Sequence, residues 1–152
     1  MNVQFNFVST YRHTLDEKGR LALPGKMRDE LQKSENSEEM TCYHDVEGGF
    51  LVLYPKERWD ILRVAIDNID DYGERSSAQW RYGGNSEDVK IDKNGRFLVP
   101  PRLRENLDFG KEIVIRGAFN SIMLWPAAKV DAEEAKNMEI IKANHKKWNL
   151  PR

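Results

Sequence analysis

The strongest constraint on how this chain folds is an internal repeat. Residues 14–31 match residues 90–107 at an offset of 76. Six aligned pairs are identical, namely Asp16/Asp92, Gly19/Gly95, Arg20/Arg96, Pro24/Pro100, Arg28/Arg104 and Leu31/Leu107. Four further pairs stay apolar, namely Leu15/Ile91, Leu21/Phe97, Leu23/Val99 and Met27/Leu103. This agreement in one register indicates a duplicated unit.

A second match extends the repeat towards the end of each copy. Residues 50–55 align with residues 121–126, here at an offset of 71. Because the offset falls from 76 to 71, the first copy carries five more residues between the two matches. We expect the polar stretch 33–39 to accommodate them as a surface loop, since lengthening a loop costs little free energy.

Each copy begins with a tight turn that leads into a strand. Aspartate at the first position of a type I turn binds its own backbone, and glycine at the fourth position accepts a positive φ. In the first copy Leu21 and Leu23 then alternate with Arg20 and Ala22, which is the period of a strand with one buried face. The second copy repeats this pattern, so Arg20 and Arg96 are predicted to point away from the core.

Prolines mark where the following elements begin. Pro24 and Pro100 end these strands and can open short helices. Two further pairs of strands are expected, at 40–44 with 50–54 and at 112–116 with 122–125. Pro55 and Pro126 then start longer helices. The apolar stripes of these helices are formed by Trp59, Leu62, Ile66 and Ile69 in the first and by Val130, Met138, Ile141 and Trp148 in the second.

The repeats are too short to bury a separate core each. A chain of 152 residues fits one ordinary domain, or two very small units that share a core. The economical arrangement pairs the two copies about an internal pseudo-twofold axis with interleaved strands. We therefore predict an α+β fold in which both turns can emerge on one surface.

Positive charge coincides with the repeats. The net charge is -1, yet residues 1–28 carry five basic and two acidic side chains, and residues 90–104 carry five basic and one acidic. Residues 29–50 carry seven acidic side chains and one lysine. Two local positive regions favour contact with nucleic acid at the turns, without a broadly basic surface.

Other classes of protein find little support in the sequence. No apolar run approaches the roughly 20 residues that span a bilayer, and the N-terminus lacks the layout of a secretory signal, so we expect a cytoplasmic chain with no membrane contact. The single Cys42 is expected in the core. The three histidines have no metal-ligand spacing, and no phosphate loop or nucleophile elbow is present. We therefore expect no metal, no cofactor and no catalytic residue.

The two turns and the later strands closely resemble the MraZ family. The resemblance rests on YRHTLDEKGR at 11–20 and VKIDKNGR at 89–96, together with LVLYP at 51–55, GAFN at 117–120 and the following Leu124 and Trp125. One such turn would be weak evidence because its composition is common. Two in register with both strand matches are highly specific.

The resemblance implies a fold of two tandem AbrB-like (SpoVT-AbrB) repeats that form a swapped-hairpin barrel with flanking helices. The expected divisions are a first repeat at 7–57, a linker with a helix at 58–86, a second repeat at 87–130 and a C-terminal helix at 131–152. It also implies a ring-shaped homo-oligomer and a bacterial, nucleoid-associated transcription regulator. Such regulators bind double-stranded DNA at promoter direct repeats upstream of their own operon in the division and cell-wall gene cluster.

Eight residues form the predicted site. The expected DNA-binding residues are Arg20, Arg96, Lys18 and Lys93, and the expected structural residues of the motif are Asp16, Gly19, Asp92 and Gly95. Residues alone leave two alternatives for each arginine: a salt bridge to its own aspartate that closes the turn, or a guanidinium presented to phosphate or guanine. The resemblance favours DNA. Arg12, Arg28 and Arg104 are expected mainly as solvated charges.

Three departures from the family pattern concern DNA affinity and packing. Ser9 stands where glycine is usual, residues 80–84 are less apolar than the family's linker, and the acidic loop 35–39 adds negative charge close to the first repeat. Two alternatives to a regulator remain. An antitoxin or assembly scaffold predicts a protein partner on the long helices, whereas an enzyme, the weakest alternative, predicts a pocket with convergent titratable groups.

Overall fold

The computed structural model describes residues 3–105, 107 and 109–152. The first half of the chain opens with a strand. A short strand, a short helix, a hairpin and a longer helix follow it in the order predicted. These elements are β1 (Thr10–Thr14), β2 (Arg20–Ala22), α1 (Gly25–Leu31), β3 (Glu39–Asp45), β4 (Phe50–Pro55) and α2 (Lys56–Asp67).

The second half repeats this series after one additional helix. The elements are α3 (Tyr72–Gly84), β5 (Ser86–Lys90), β6 (Arg96–Leu98), α4 (Pro101–Glu105), β7 (Glu112–Gly117), β8 (Ile122–Pro126) and α5 (Ala127–Asn144), followed by a 3₁₀ turn at His145–Trp148. The predicted helix after Pro55 is in fact two helices, α2 and α3. The start of α3 has a readable signal, because the side chain of Asp71 accepts a hydrogen bond from the backbone N–H of Glu74 as a helix N-cap.

Two antiparallel sheets connect the halves. Six strands pair in the order β1-β7-β8-β4-β3-β5, and β2 pairs with β6 as a separate ribbon. Outside the two hairpins, every pairing joins a strand of one half to a strand of the other: β1 with β7, β5 with β3, β4 with β8 and β2 with β6. If each strand is replaced by its equivalent in the other half, the same four pairings result. Among the described residues β1 and β5 do not pair with each other, so the six-stranded sheet is open.

The core is shared between the halves. Leu21 and Phe97 face inward from the ribbon at 1% and 2% exposure, and one cluster of buried side chains includes Met27 and Leu31 of α1 together with Leu103 of α4. Among the described residues, neither half encloses a separate cluster of buried apolar side chains. The mixed α+β architecture with an antiparallel sheet is therefore confirmed.

The two long helices differ in how much of their surface is buried. Ile66 of α2 is buried, whereas no residue of α5 is. On the predicted α5 stripe, Met138 is 42% exposed and Ile141 38% exposed. No described helix combines the length and the apolar character that a bilayer crossing requires.

Two smaller expectations also meet the structure. Cys42 lies fully buried on β3, and desolvation raises the pKa of its thiol to about 12, as befits a core residue. Ser9 adopts a φ of 78°, in the left-handed region that favours glycine. The position where the family usually has glycine is thus one where the backbone calls for it.

Candidate nucleic-acid interface

The first predicted turn, 16–19, is closed by its aspartate. The backbone O of Asp16 accepts a hydrogen bond from the Gly19 N–H at 3.0 Å, and the Asp16 N–H donates to the backbone O of Arg20 at 3.0 Å. One carboxylate oxygen accepts from the N–H groups of Lys18 at 2.9 Å and Arg20 at 2.8 Å. Gly19 has a φ of 81°, so the glycine at this position serves the backbone.

The second turn, 92–95, repeats this geometry. The backbone O of Asp92 accepts from Gly95 at 2.9 Å, and its carboxylate accepts from the N–H groups of Asn94 at 2.8 Å and Arg96 at 3.0 Å. Gly95 has a φ of 78°. The aspartate that closes the turn therefore also holds the first residue of β6 in place through its carboxylate.

Both carboxylates are stabilised in their charged form. The pKa of Asp16 is lowered chiefly by the hydrogen bond from the Arg20 backbone N–H, then by the side chain of Arg20. The pKa of Asp92 is lowered chiefly by the backbone N–H of Arg96. Burial, which would raise both values, is the smaller effect.

The two arginines differ in their pairing. Arg20 Nε donates to the second carboxylate oxygen of Asp16 at 2.8 Å, with 39% and 36% of the two side chains exposed. Arg96 is exposed and makes no ion pair within the part of the chain that the structure describes. The salt-bridged alternative therefore holds for the first turn and not for the second, and in the first turn it leaves the guanidinium accessible to solvent.

Two further arginines lie across the turns. Arg104 packs against Gly19, and Arg28 packs against Gly95, so that a Cβ at either glycine would collide with an arginine of the other half. Arg28 Nη2 also donates to the backbone O of Lys93 at 2.8 Å. Both arginines are half-buried, so they are less solvated than expected. The identity of Arg28 and Arg104 between the repeats was the sequence signal for this packing.

The strands after the turns form one two-stranded ribbon. Arg20 lies opposite Leu98, Leu21 opposite Phe97, and Ala22 opposite Arg96. Since alternate residues point to opposite faces, one face carries the buried Leu21 and Phe97. The other face, called here the outer ribbon face, consists of Arg20, Ala22, Arg96 and Leu98.

The turns lie at opposite ends of this ribbon. The Leu23 N–H donates to the backbone O of Gly95 at 2.8 Å, and the Val99 N–H donates to the backbone O of Gly19 at 3.1 Å. At about 3.3 Å per residue, the path from Gly19 to Leu23 separates the turns by roughly 13 Å. Lys18 and Lys93, both exposed, stand at the two ends.

The acidic loop 35–39 lies beside the second turn. The backbone O of Glu38 accepts from the Ile91 N–H at 2.7 Å, directly before the second turn. The loop is brought there because β3, which follows it, pairs with β5. Its negative charge therefore acts beside Lys93.

No group of three or more metal-binding side chains occurs among residues 3–105, 107 and 109–152. Arg12 is exposed on β1, and His13 contacts the backbone O of Ala22 through Nδ1 at 3.0 Å. His44 is buried, and desolvation lowers its pKa.

Comparison with known proteins agrees with the duplicated turns. A family model described as "MraZ protein, putative antitoxin-like" matches residues 7–70 and 84–147. A Pseudomonas syringae pv. tomato protein named Transcriptional regulator MraZ is 38% identical over 112 residues, or 73% of this chain and 74% of the relative. Proteins of the same name from Pseudomonas fluorescens and Pseudoalteromonas translucida are 35% and 33% identical over 129 and 128 residues. These two alignments cover 84% of this chain, and 85% and 84% of the respective relatives.

Proposed function

The chain belongs to the MraZ family, and from this premise we propose that it is a sequence-specific DNA-binding transcriptional regulator. Its targets would be promoter direct repeats upstream of its own operon in the division and cell-wall gene cluster. The observation that carries the proposal is the outer ribbon face, where two arginines from duplicated motifs lie on one exposed surface with a lysine at either end.

The dimensions of the ribbon suit the major groove of DNA. That groove is about 12 Å wide and admits a two-stranded β-ribbon. Turns roughly 13 Å apart would bring Lys18 and Lys93 towards the phosphates on its two sides, where basic side chains fix orientation without reading sequence. Arg20 and Arg96, between them, are the residues that would contact base edges, since arginine binds the O6 and N7 of guanine with two parallel hydrogen bonds.

The remaining parts of the proposal concern architecture and setting. We propose that the exchanged strands form an AbrB-like swapped-hairpin arrangement, with repeats at 7–57 and 87–130, a linker at 58–86 and a C-terminal helix at 131–152. The protein would act without enzymatic activity in the cytoplasm, associated with the nucleoid. Support for the exchanged arrangement comes from the cross-half pairings and the shared core.

We also propose a ring-shaped homo-oligomer. Apolar side chains that the single chain leaves exposed support it, including Trp80 at 84% on α3 and Met138 and Ile140 at 42% and 44% on α5. One subunit's two turns also cover little DNA, so that tight binding requires several subunits. Light scattering at micromolar concentration should give a multiple of the chain mass, and a strictly monomeric mass would contradict this part.

The decisive experiment measures binding to the DNA upstream of the chain's own gene. Wild-type protein should leave a footprint there, and its affinity should fall steeply with added salt because phosphate contacts release counterions. Arg20→Ala should abolish the footprint without unfolding the protein, since its side chain buries little apolar area.

The matched control is Arg116→Ala. Arg116 is similarly exposed at 44% and pairs with Glu134 at 3.6 Å. It lies at the C-terminal end of β7, whereas the first turn adjoins the N-terminal end of that strand. The Arg116→Ala protein should bind DNA with the affinity of wild type. Normal DNA binding by a folded Arg20→Ala protein would defeat the assignment to Arg20 and move the site to Arg96.

An antitoxin or a ring-forming scaffold is the second candidate. The words "antitoxin-like" in the family description favour it, and the exposed apolar side chains of α5 suit a protein partner as well as a second copy. A folded wild-type protein that leaves no footprint even at low salt would favour this candidate over the regulator.

A further inference from the structure

The outer ribbon face carries one apolar side chain larger than alanine. Leu98 is 47% exposed there and lies directly opposite Arg20. Its equivalent in the first repeat is Ala22, which lies opposite Arg96. The face is therefore symmetric in its arginines and asymmetric in its apolar residues.

Exposure by itself does not assign a role to Leu98, because single apolar side chains are common on protein surfaces. Its position does. Directly opposed residues of an antiparallel pair have Cβ atoms about 5 Å apart, so Leu98 stands beside Arg20 on the surface proposed to enter the groove. A leucine side chain there must lie against whatever base edges adjoin the one that Arg20 contacts.

We propose that Leu98 is a specificity-determining residue that packs against the C5-methyl group of thymine. This inference rests on the proposed function. The thymine methyl is the apolar group that the major groove displays, and proteins read it through apolar contact. Successive bases of a strand rise about 3.4 Å, so a lateral distance of about 5 Å places Leu98 within one or two steps of the base that Arg20 contacts.

Ala22 gives the matching position less reach. Its single methyl group ends at Cβ, whereas the branched end of Leu98 extends two carbons further into the groove. One end of the ribbon would therefore read a guanine together with a nearby thymine, and the other end a guanine alone. The DNA element bound by one subunit is thus expected to lack the twofold symmetry that a symmetric reading face would impose.

The test removes the methyl group from the DNA and the side chain from the protein. The DNA upstream of the gene is amplified once with thymidine and once with deoxyuridine triphosphate in its place, which deletes every thymine methyl. Wild-type protein should bind the uracil probe about fourfold more weakly for each thymine methyl against which a Leu98 side chain packs. Leu98→Ala should bind the thymine probe more weakly than wild type and should distinguish the two probes little or not at all.

Two variants control for folding and for apolar loss elsewhere. Leu98→Met keeps an apolar side chain of similar size and should keep most of the preference for thymine. Leu150→Ala makes the same truncation at a residue that is 69% exposed in the C-terminal segment, and its ratio between the probes should equal that of wild type. Thermal melting verifies that each variant is folded.

The outcomes separate the two proposals. Wild-type protein that binds the thymine and uracil probes equally tightly refutes the role of Leu98 and leaves DNA binding intact. A folded Leu98→Ala protein that retains the wild-type ratio between the probes refutes it as well. Wild-type protein that binds neither probe refutes the proposed function, and the role of Leu98 with it.

Discussion

The two turns of this protein have nearly the same backbone and different arginine contacts. The carboxylates of Asp16 and Asp92 each accept hydrogen bonds from two backbone N–H groups, and the glycines of the turns have φ values of 81° and 78°. Only the first carboxylate also binds its arginine side chain, at 2.8 Å. The aspartate therefore makes its hydrogen bonds to the turn backbone whether or not it pairs with the guanidinium.

This difference separates two roles within one motif. Aspartate and glycine shape the turn, whereas the arginine remains available for another partner. In the first turn the carboxylate holds the guanidinium in one orientation, which under the proposed function would lower the entropy lost on binding DNA. In the second turn the side chain would have to be ordered by the DNA itself. Arg20 should therefore contribute more to affinity than Arg96.

The largest expected effect tests that ranking directly. Arg20→Ala and Arg96→Ala should each weaken DNA binding by about 1 to 3 kcal/mol per contact, and Arg20→Ala should lie at the upper end. Gel-shift titrations of both variants at one salt concentration measure this. If Arg96→Ala proves the more damaging of the two, the orienting role of Asp16 is wrong.

The turn glycines should show no such ranking. Gly19→Ala and Gly95→Ala should each lower the free energy of unfolding by about 1 to 2 kcal/mol or more, because alanine is strained at positive φ and its Cβ would displace an arginine. Urea unfolding provides the measurement. Gly83→Ala is the control, since it lies on α3 with nothing within 4 Å of an added Cβ, and it should not destabilise. Wild-type stability in both variants would contradict the structural role of the turn glycines.

The residues that precede the first strand of each half differ in backbone conformation, unlike the turn glycines. Ser9 has a φ of 78°, whereas Asn85, its equivalent at the repeat offset, has a φ of -110°. Ser9→Gly should raise the free energy of unfolding by about 1 kcal/mol by relieving left-handed strain. Asn85→Gly should lower it by about 0.5 to 1 kcal/mol because glycine loses more backbone entropy. Denaturant midpoints of both variants check this, and stabilisation by both would remove the contrast.

The smallest effect concerns pH. The pKa values of Asp16 and Asp92 lie below the ordinary 3.8 in the folded protein, so each stabilises it fully above that pH and loses its contribution as the pH falls through the lowered value. Asp16→Asn and Asp92→Asn should therefore differ from wild type in stability at pH 7 and converge with it at strongly acidic pH.

Asp16→Asn should show the larger difference at pH 7, because it also loses the Arg20 ion pair. That additional loss should be small, since both partners are more than one-third exposed. Urea unfolding of wild type and both variants at pH 7 and at pH values below 3.8 gives the comparison. A gap from wild type that persists unchanged in acid would mean that the carboxylate charge contributes nothing.

Local rules in the sequence were enough for the turns and for most elements. Asp-x-x-Gly predicted both turns, the alternation around Leu21 predicted the buried face of β2, and Pro55 and Pro126 marked the starts of α2 and α5. The resemblance predicted the family. These features succeed because turn closure, strand alternation and the fixed φ of proline each depend on only a few neighbouring residues.

What tertiary structure alone decided is which distant groups meet. The pairing of β1 with β7, the contact of Arg28 with Gly95, and the position of Glu38 beside the second turn each join residues far apart in the chain. The same motif also leaves Arg20 paired and Arg96 unpaired among the described residues. Side-chain contacts of this kind depend on how the two halves interleave around one shared core, and no short stretch of sequence carries that information.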